Sequence, residues 1–394
     1  FEANLRYDGS SKFPTNLSWR WFPSFSAGWR ASEEKFMEWA KPTLSSLKMR
    51  GSWGTIGDQT VPNSMYVSTM GVSNTSWLDG STKFVSVGTP SVVVPSITWQ
   101  DIETLDLGVD LRMFNNELGV SFDWYQRTTK NMIVAGAAVA NTFGTSAPNG
   151  NFGELRTRGW ELAVDYNHRF SNGIGVNATA TLADATTIIT KYAPLAVKTV
   201  SNTYYEGKRY GDIWGYKTDR LYQYSDFELG SDGKPQLITL TADESAKYAG
   251  KKAYKLKTVD GKKPVYQPYL QNSSNFYFGP GDVKFVDLNG DGEINNGSNT
   301  TDDHGDLSVI GNSTPRYEYG LRLGADWKGF DCSIFFQGVG KRQIWGSGFL
   351  AIPGYNSSDG AMPQTFAGDF WKDDRTDAFY PRAYNQGGSD NTNN

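Results

Sequence analysis

The sequence predicts an all-β fold, an antiparallel transmembrane β-barrel with long extracellular loops. Three observations predict it. Apolar and polar residues alternate with period two over stretches of about ten residues, the connections are short at one end of these stretches and long at the other, and aromatic residues gather near the stretch ends. Composition agrees. Aromatic residues make up 14% of the 394-residue chain, glycines number 43 and only 20% of residues are charged, a mixture that favours strands and turns over amphipathic helices.

The elements follow in chain order. "NLRYDGSSKF" reads as the end of a strand and a loop, Trp19 to Trp29 places aromatic residues on odd positions, and "LKMRGSWGT" sets Leu47, Met49 and Trp53 on one side. In "TLDLGVDLRM" Leu105, Leu107, Val109, Leu111 and Met113 share one parity, against Thr104, Asp106, Gly108, Asp110 and Arg112. The turn "FNNE" then leads to Leu118, Val120, Phe122 and Trp124, so the pair reads as a hairpin. A second hairpin sets Trp160, Leu162, Val164 and Tyr166 against Ile174, Val176, Ala178, Ala180 and Leu182 across "SNG". A third runs from Tyr317, Tyr319, Leu321, Leu323, Ala325 and Trp327 through Lys328 and Gly329 to Phe330, Cys332, Ile334 and Phe336, with Arg316, Glu318, Arg322 and Asp326 on the polar row. The count comes to about nine long strands.

Short turns follow Met113, Phe170 and Trp327, whereas the opposite ends open into long loops at 57–100, 128–152, 190–315 and 341–394. Such loops need a cause. A barrel with short turns on one membrane side and long loops on the other supplies it, and strands of about ten residues cross the apolar layer when tilted. A soluble β-sandwich or propeller also alternates, but its strands are usually shorter and its loops populate both ends.

Several classes are excluded. A net charge of −4 and a pI near 5.4 leave no basic face for nucleic acid. A lone cysteine, Cys332, rules out an internal disulfide framework and a thiolate metal cluster, and its parity makes it a small lipid-facing residue. No apolar run is long enough for a membrane helix, a test that barrels escape. His168 and His304 are far apart with no nucleophile beside them, so no catalytic triad is read and His168 is expected as an interfacial ring. The start at Phe1, with no basic or apolar leader, reads as a processed chain or a fragment.

The blocks "LRYDGSSKF", "WFPSFSAGWRASEEKFM", "LSSLKMRGSWGTIGDQ", "WQDIETLDLGVDLRMFNNELGVSFDWYQRTTKNMI", "GDIWGYKTDRLYQ" and "PGDVKFVDLNGDGEIN…VIGNSTPRYEYGLRLGADWKGFDCSIFFQGVG" together resemble the SusC/RagA family of TonB-dependent outer-membrane transporters. The resemblance spans most of the chain. It implies a plugged barrel in the outer membrane that imports oligosaccharides or peptides with a SusD-like surface lipoprotein and TonB, without bond chemistry. Residues 1–394 are then a partial barrel, a segment of a large antiparallel transmembrane β-barrel, because the family's plug domain and last strands have no counterpart here and the chain stops in polar "SDNTNN". About nine strands would leave open edges in lipid, and plugged barrels of this kind have about 22.

"DLNGDGEIN" carries the spacing of a calcium loop. Asp287, Asn289 and Asp291 take its first, third and fifth places, Gly292 the sharp turn, Glu293 the carbonyl place and Asn295 the ninth. The twelfth place is Ser298, not a carboxylate, so a helical sensor is excluded; Asp302, Asp303 or Asp306 stands near enough in sequence to replace it. Ca2+ in the 287–298 loop is therefore an expectation, with an ion-free Asx turn as its rival. Substrate contact is expected from Trp214, Tyr216, Arg220, Tyr222, Trp345 and Tyr355, since aromatic faces beside polar groups suit sugars or peptides. The competing expectation is a secreted, calcium-braced carbohydrate-binding or glycoside-hydrolysing β-protein.

Overall fold

The computed structural model describes residues 1–137, 139–193, 198–200, 204–271, 276–348, 351–355 and 362–384; the polar tail 389–394 lies outside them. The chain divides into two units, the first comprising Phe1–Val197, Thr203–Gly211 and Thr314–Arg342. Among its described residues nine long strands form one sheet: β1 (Glu2–Gly9), β2 (Trp19–Arg30), β3 (Leu44–Asp58), β4 (Gln100–Met113), β5 (Leu118–Ala135), β6 (Asn149–Arg169), β7 (Gly175–Lys191), β8 (Arg316–Trp327) and β9 (Phe330–Lys341). Each pairs antiparallel with its sequence neighbours, so the sheet is an up-and-down meander in strict chain order.

The turns obey the residues that make them. Phe114, Asn115 and Asn116 all adopt φ between 54° and 69°, a conformation that asparagine tolerates better than most residues. Lys328 (φ 48°) and Gly329 (φ 88°) are both left-handed, which gives the two-residue β8–β9 hairpin the twist its strands require. Gly173 (φ 87°) closes the β6–β7 turn.

Cross-strand register aligns the apolar rows across the sheet. Trp53 lies opposite Leu105, Leu107 opposite Trp124, Trp124 opposite Trp160, and Ala180 opposite Leu321. Along β4 the row from Leu105 to Met113 rises roughly 27 Å along the strand, which a tilt near 40° brings close to the apolar band of a membrane barrel. The row ends in charge at the long-loop side, where Glu103 bonds to Trp53 and Lys130. Arg316 pairs with Asp184 at the same end. That pair corrects one expectation. Arg316 does not continue the polar row of Glu318, because Tyr317 takes φ 54° and interrupts the alternation, leaving Arg316 free to reach Asp184.

Two of the loop boundaries also move. β5 and β6 run on through much of 128–152, to Ala135 and from Asn149, carried past a left-handed Asn131 (φ 55°) by a local register shift. The long-loop end of β2–β4 has its own small core of Phe13, Phe22, Val61, Ile97 and Trp99. β1 and β9 are the sheet's edges, and in lipid their outward backbone groups require further strands.

Candidate functional site

The opposite face of the sheet is polar and cross-linked. Arg50 on β3 donates to Asp110 at 3.0 Å, Asp106 at 3.5 Å and Asp123 at 2.6 Å, and the Ser121 hydroxyl donates to Asp110 at 2.6 Å. Arg112 bonds to Asp165 at 2.5 Å one pair of rows further. Glycines make this possible. A Cβ at Gly119 would stand 2.3 Å from Arg112, so the guanidinium lies flat on the strand only because that position has no side chain. Beside this network a groove of about 460 Å3 is lined by Asp123, Glu161, Thr181, Glu318, Phe335 and Gln337. Sequence parity places these residues on the face away from the apolar row, but nothing in it marks Arg50 as the hub.

The second unit comprises Lys198–Asn202, Asp212–Ser313 and Gln343–Asn394, and it contains all six residues expected to touch substrate. Three short two-stranded ladders shape it: Asp212–Tyr216 with Leu307–Asn312, Thr218–Leu221 with Val283–Phe285, and Leu237–Thr239 with Lys252–Tyr254. The unit has a core of Tyr222, Phe227, Leu240, Ala253, Leu256, Tyr266, Phe276 and Phe278, against which Ile238 and Tyr254 of the third ladder pack.

Trp214, Tyr216 and Trp345 come together around the Asp212–Tyr216 strand. Trp214 and Tyr216 share one face, with Trp214 against His304 (ring centroids 5.3 Å) and Tyr216 against Phe285 (5.6 Å). Trp345 approaches Gly215, where a Cβ would stand 3.5 Å from its ring, and a paired hydrogen bond between Gln343 and Asn312 sets that segment in place. The Trp345 side is open, with Trp345 63% and Ile310 44% exposed, and the adjacent Ile344 is 75% exposed. Ile310 and Ile344 were not singled out from the sequence, where isolated isoleucines in a loop carry no signal.

The other three residues lie elsewhere. Tyr222 is 2% exposed and packs on Phe227 (5.3 Å), so its ring belongs to the core. Arg220 donates to the Asp226 carboxylate at 2.6 Å and to the Leu221 carbonyl, which commits much of its fork within the chain. Burial pushes the Asp226 carboxyl up, but the Arg220 fork and the Gln223 N–H outweigh it and hold it below the usual carboxylate range. Tyr355 is 38% exposed on a turn in which its N–H bonds to Ile352.

The Asp287 loop is a nest of side chains on backbone. Asp287 accepts from Gly290 at 2.7 Å and Gly292 at 2.9 Å, Asn289 from Asp291 at 3.0 Å, and Asp291 from Glu293 at 2.9 Å. These three keep oxygen lone pairs within one turn. Glu293 and Asn295 turn their side chains away: the Glu293 carboxylate accepts from Ser245 and from the Lys247 N–H, and the Asn295 carbonyl from Gly297 and the Lys247 ammonium. Asp306, fully buried, ties the loop's two ends by accepting from Leu288 and Asn295, each at 2.8 Å. Burial, with the nearby Asp287 charge, lifts the Asp306 carboxyl above its usual range against those donors. Among the described residues no three His, Cys, Asp or Glu side chains gather as a metal cage.

Comparison with known proteins follows this geometry. "TonB-dependent receptor P3" of Formosa agariphila is 25% identical over 348 residues, covering 86% of this chain and 30% of that protein. "TonB-dependent receptor SusC" of Bacteroides thetaiotaomicron is 27% identical over 168 residues, covering 42% of this chain and 17% of that one. The RagAB peptide importer in its closed-closed state has the same fold, with a TM-score of 0.64 and 18% identity over 98% of this chain and 36% of that chain. The chain thus spans about 30% of the length of the curated relatives it matches most extensively. The model of the TonB dependent receptor-like β-barrel matches residues 1–393, and with the nine-stranded sheet this places the chain in that family of outer-membrane barrels.

Proposed function

We propose that the parent protein imports oligosaccharides or peptides across the outer membrane, driven by TonB, with a SusD-like lipoprotein as its surface partner. The carrying observation is the two-faced sheet: an apolar row for lipid, and on the other face a row of ion pairs and hydroxyls that suits the passage of a polar cargo. Family membership supports the reading, since TonB-dependent receptors are transporters and not enzymes. It also displaces the secreted, glycoside-hydrolysing alternative. The similarity to RagAB, a peptide importer, and to SusC supports a surface partner of the SusD type.

Cargo contact falls to the open side of the second unit, where Trp345 stands with Ile310 over the Asp212–Tyr216 strand. A flat apolar ring suits the face of a sugar or an extended peptide. The same reading gives the 287–298 loop a Ca2+ ion on Asp287, Asn289 and Asp291 and the Glu293 carbonyl. An ion there would brace the loop and offset the charge that Asp287 places near Asp306. The test is uptake of labelled oligosaccharides and peptides by cells carrying the full-length protein, with and without TonB. Saturable uptake of one class that disappears without TonB supports import; uptake indifferent to TonB refutes it.

A further inference from the structure

The connection between β2 and β3 is the long one on the short-turn side of the sheet, and its residues are unlike those of a plain turn. It holds two 3-10 segments, Ala31–Glu33 and Lys35–Ala40, the second reading "KFMEWA". A 3-10 helix turns every three residues, so side chains at i and i+3 stand one above the other. Three stripes result. Lys35 and Glu38 form a charged stripe, extended by Lys41; Met37 and Ala40 form a half-buried one; Phe36 and Trp39 form the third and are 60% and 80% exposed.

Two large aromatic rings this exposed on adjacent turns are more than the unit's own packing uses, and the contacts beside them point to what covers them. Trp29 stands in the outer apolar row of β2, opposite Met49 on β3. Phe36 packs against Trp29 with ring centroids 6.2 Å apart, and the Trp29 indole N–H donates to Glu34 at 3.0 Å, fastening the segment to that row. The Phe36–Trp39 stripe is therefore continuous with the lipid-facing band. At the same end of the sheet, Phe114, Phe170, Trp327 and Phe330 flank the short turns, all of them at least 46% exposed.

We propose that Lys35–Ala40 is an in-plane anchor in the phospholipid interface on the short-turn side of the barrel, with Phe36 and Trp39 sunk among headgroups and upper acyl carbons. Tryptophan suits that depth because its ring is amphipathic, and the Lys35–Glu38–Lys41 stripe, about a third of a turn away, stays in water. The charges are mixed, so the anchor works by apolar burial and needs no anionic lipid.

Electron paramagnetic resonance of the full-length protein in phospholipid vesicles tests this. A nitroxide is attached in separate proteins at Phe36→Cys, Glu38→Cys and Trp39→Cys, each with Cys332→Ser and any other cysteine of the parent removed, and each shown folded by heat-modifiable gel mobility. The ratio of collision with oxygen to collision with a water-soluble nickel chelate is expected to be several-fold higher at 36 and 39 than at 38. Equal nickel access at all three sites would place the stripe in water, and protection of 36 and 39 from both agents would place it under protein; either overturns the anchor.

Discussion

The guanidinium of Arg50 lies across Gly108: a Cβ at that position would stand 2.5 Å from Cζ of Arg50 and 2.6 Å from the Asp123 carboxylate. The sheet's polar face thus depends on a missing side chain in the neighbouring strand. Gly108→Ala lifts Arg50 away from Asp106, Asp110 and Asp123 together. The expected loss is about 1–3 kcal/mol in an unfolding equilibrium measured in lipid vesicles. An unchanged midpoint would mean that the network contributes nothing to stability.

Leu107 and Asp106 are neighbours in β4 with opposite duties. Leu107 is 50% exposed in the apolar row, so Leu107→Arg near the bilayer midplane costs about 2–4 kcal/mol. Asp106→Asn leaves Arg50 with its shorter bonds to Asp110 and Asp123, and costs under about 1 kcal/mol. The same vesicle assay compares them, and equal costs would contradict the assigned faces.

Tyr222 and Trp345 separate packing from contact. Tyr222→Ala empties a core position and destabilises the protein by about 3–5 kcal/mol. Trp345→Ala shifts stability by no more than about 0.5 kcal/mol yet lowers cargo affinity, read by titration calorimetry with oligosaccharides and peptides. Full affinity in the Trp345 variant would remove that ring from the contact surface.

Acid weakens the second unit through Asp226. Its folded carboxyl titrates below its unfolded value, so on acidification the unfolded chain takes up the proton first. The stabilisation is complete above the usual carboxylate range and is lost as pH falls through that range towards the folded value. Thermal melts between about pH 6 and pH 3 should show a smaller acid loss in Asp226→Asn than in the parent. Identical slopes would exclude Asp226 as a contributor.

Calcium dependence is expected to follow Asp287. Added calcium raises the melting temperature of the parent and chelator lowers it, while Asp287→Ala responds to neither. A parent indifferent to both would show that Asp306 and the backbone N–H groups hold the loop unaided.

The strands were legible in the sequence because a barrel wall has one simple period. Leu105 to Met113 and Trp160 to Tyr166 announce their face by alternation alone, and "FNNE" and Lys328–Gly329 announce the turns through residues that accept left-handed backbone. Where the backbone departs from that period, at Asn131 and Tyr317, parity misplaced a loop boundary and the row to which Arg316 belongs. The candidate site was less legible. Tyr222 and Trp345 are both aromatic residues in long loops, and only tertiary packing decides that one is core and the other is open. Nor does spacing reveal that Glu293 and Asn295 turn to Ser245 and Lys247, nearly fifty positions earlier in the chain.

Cysteine placed in turn at positions 105 to 112 of the full-length protein, with Cys332→Ser and any other cysteine of the parent removed, measures which row of β4 meets lipid. In vesicles, a membrane-impermeant thiol reagent reaching both sides is expected to modify positions 106, 108, 110 and 112 through the barrel interior and to spare 105, 107, 109 and 111. Labelling without alternation, or with the opposite parity, would contradict a sheet with one face in lipid and the other lining a path for polar cargo.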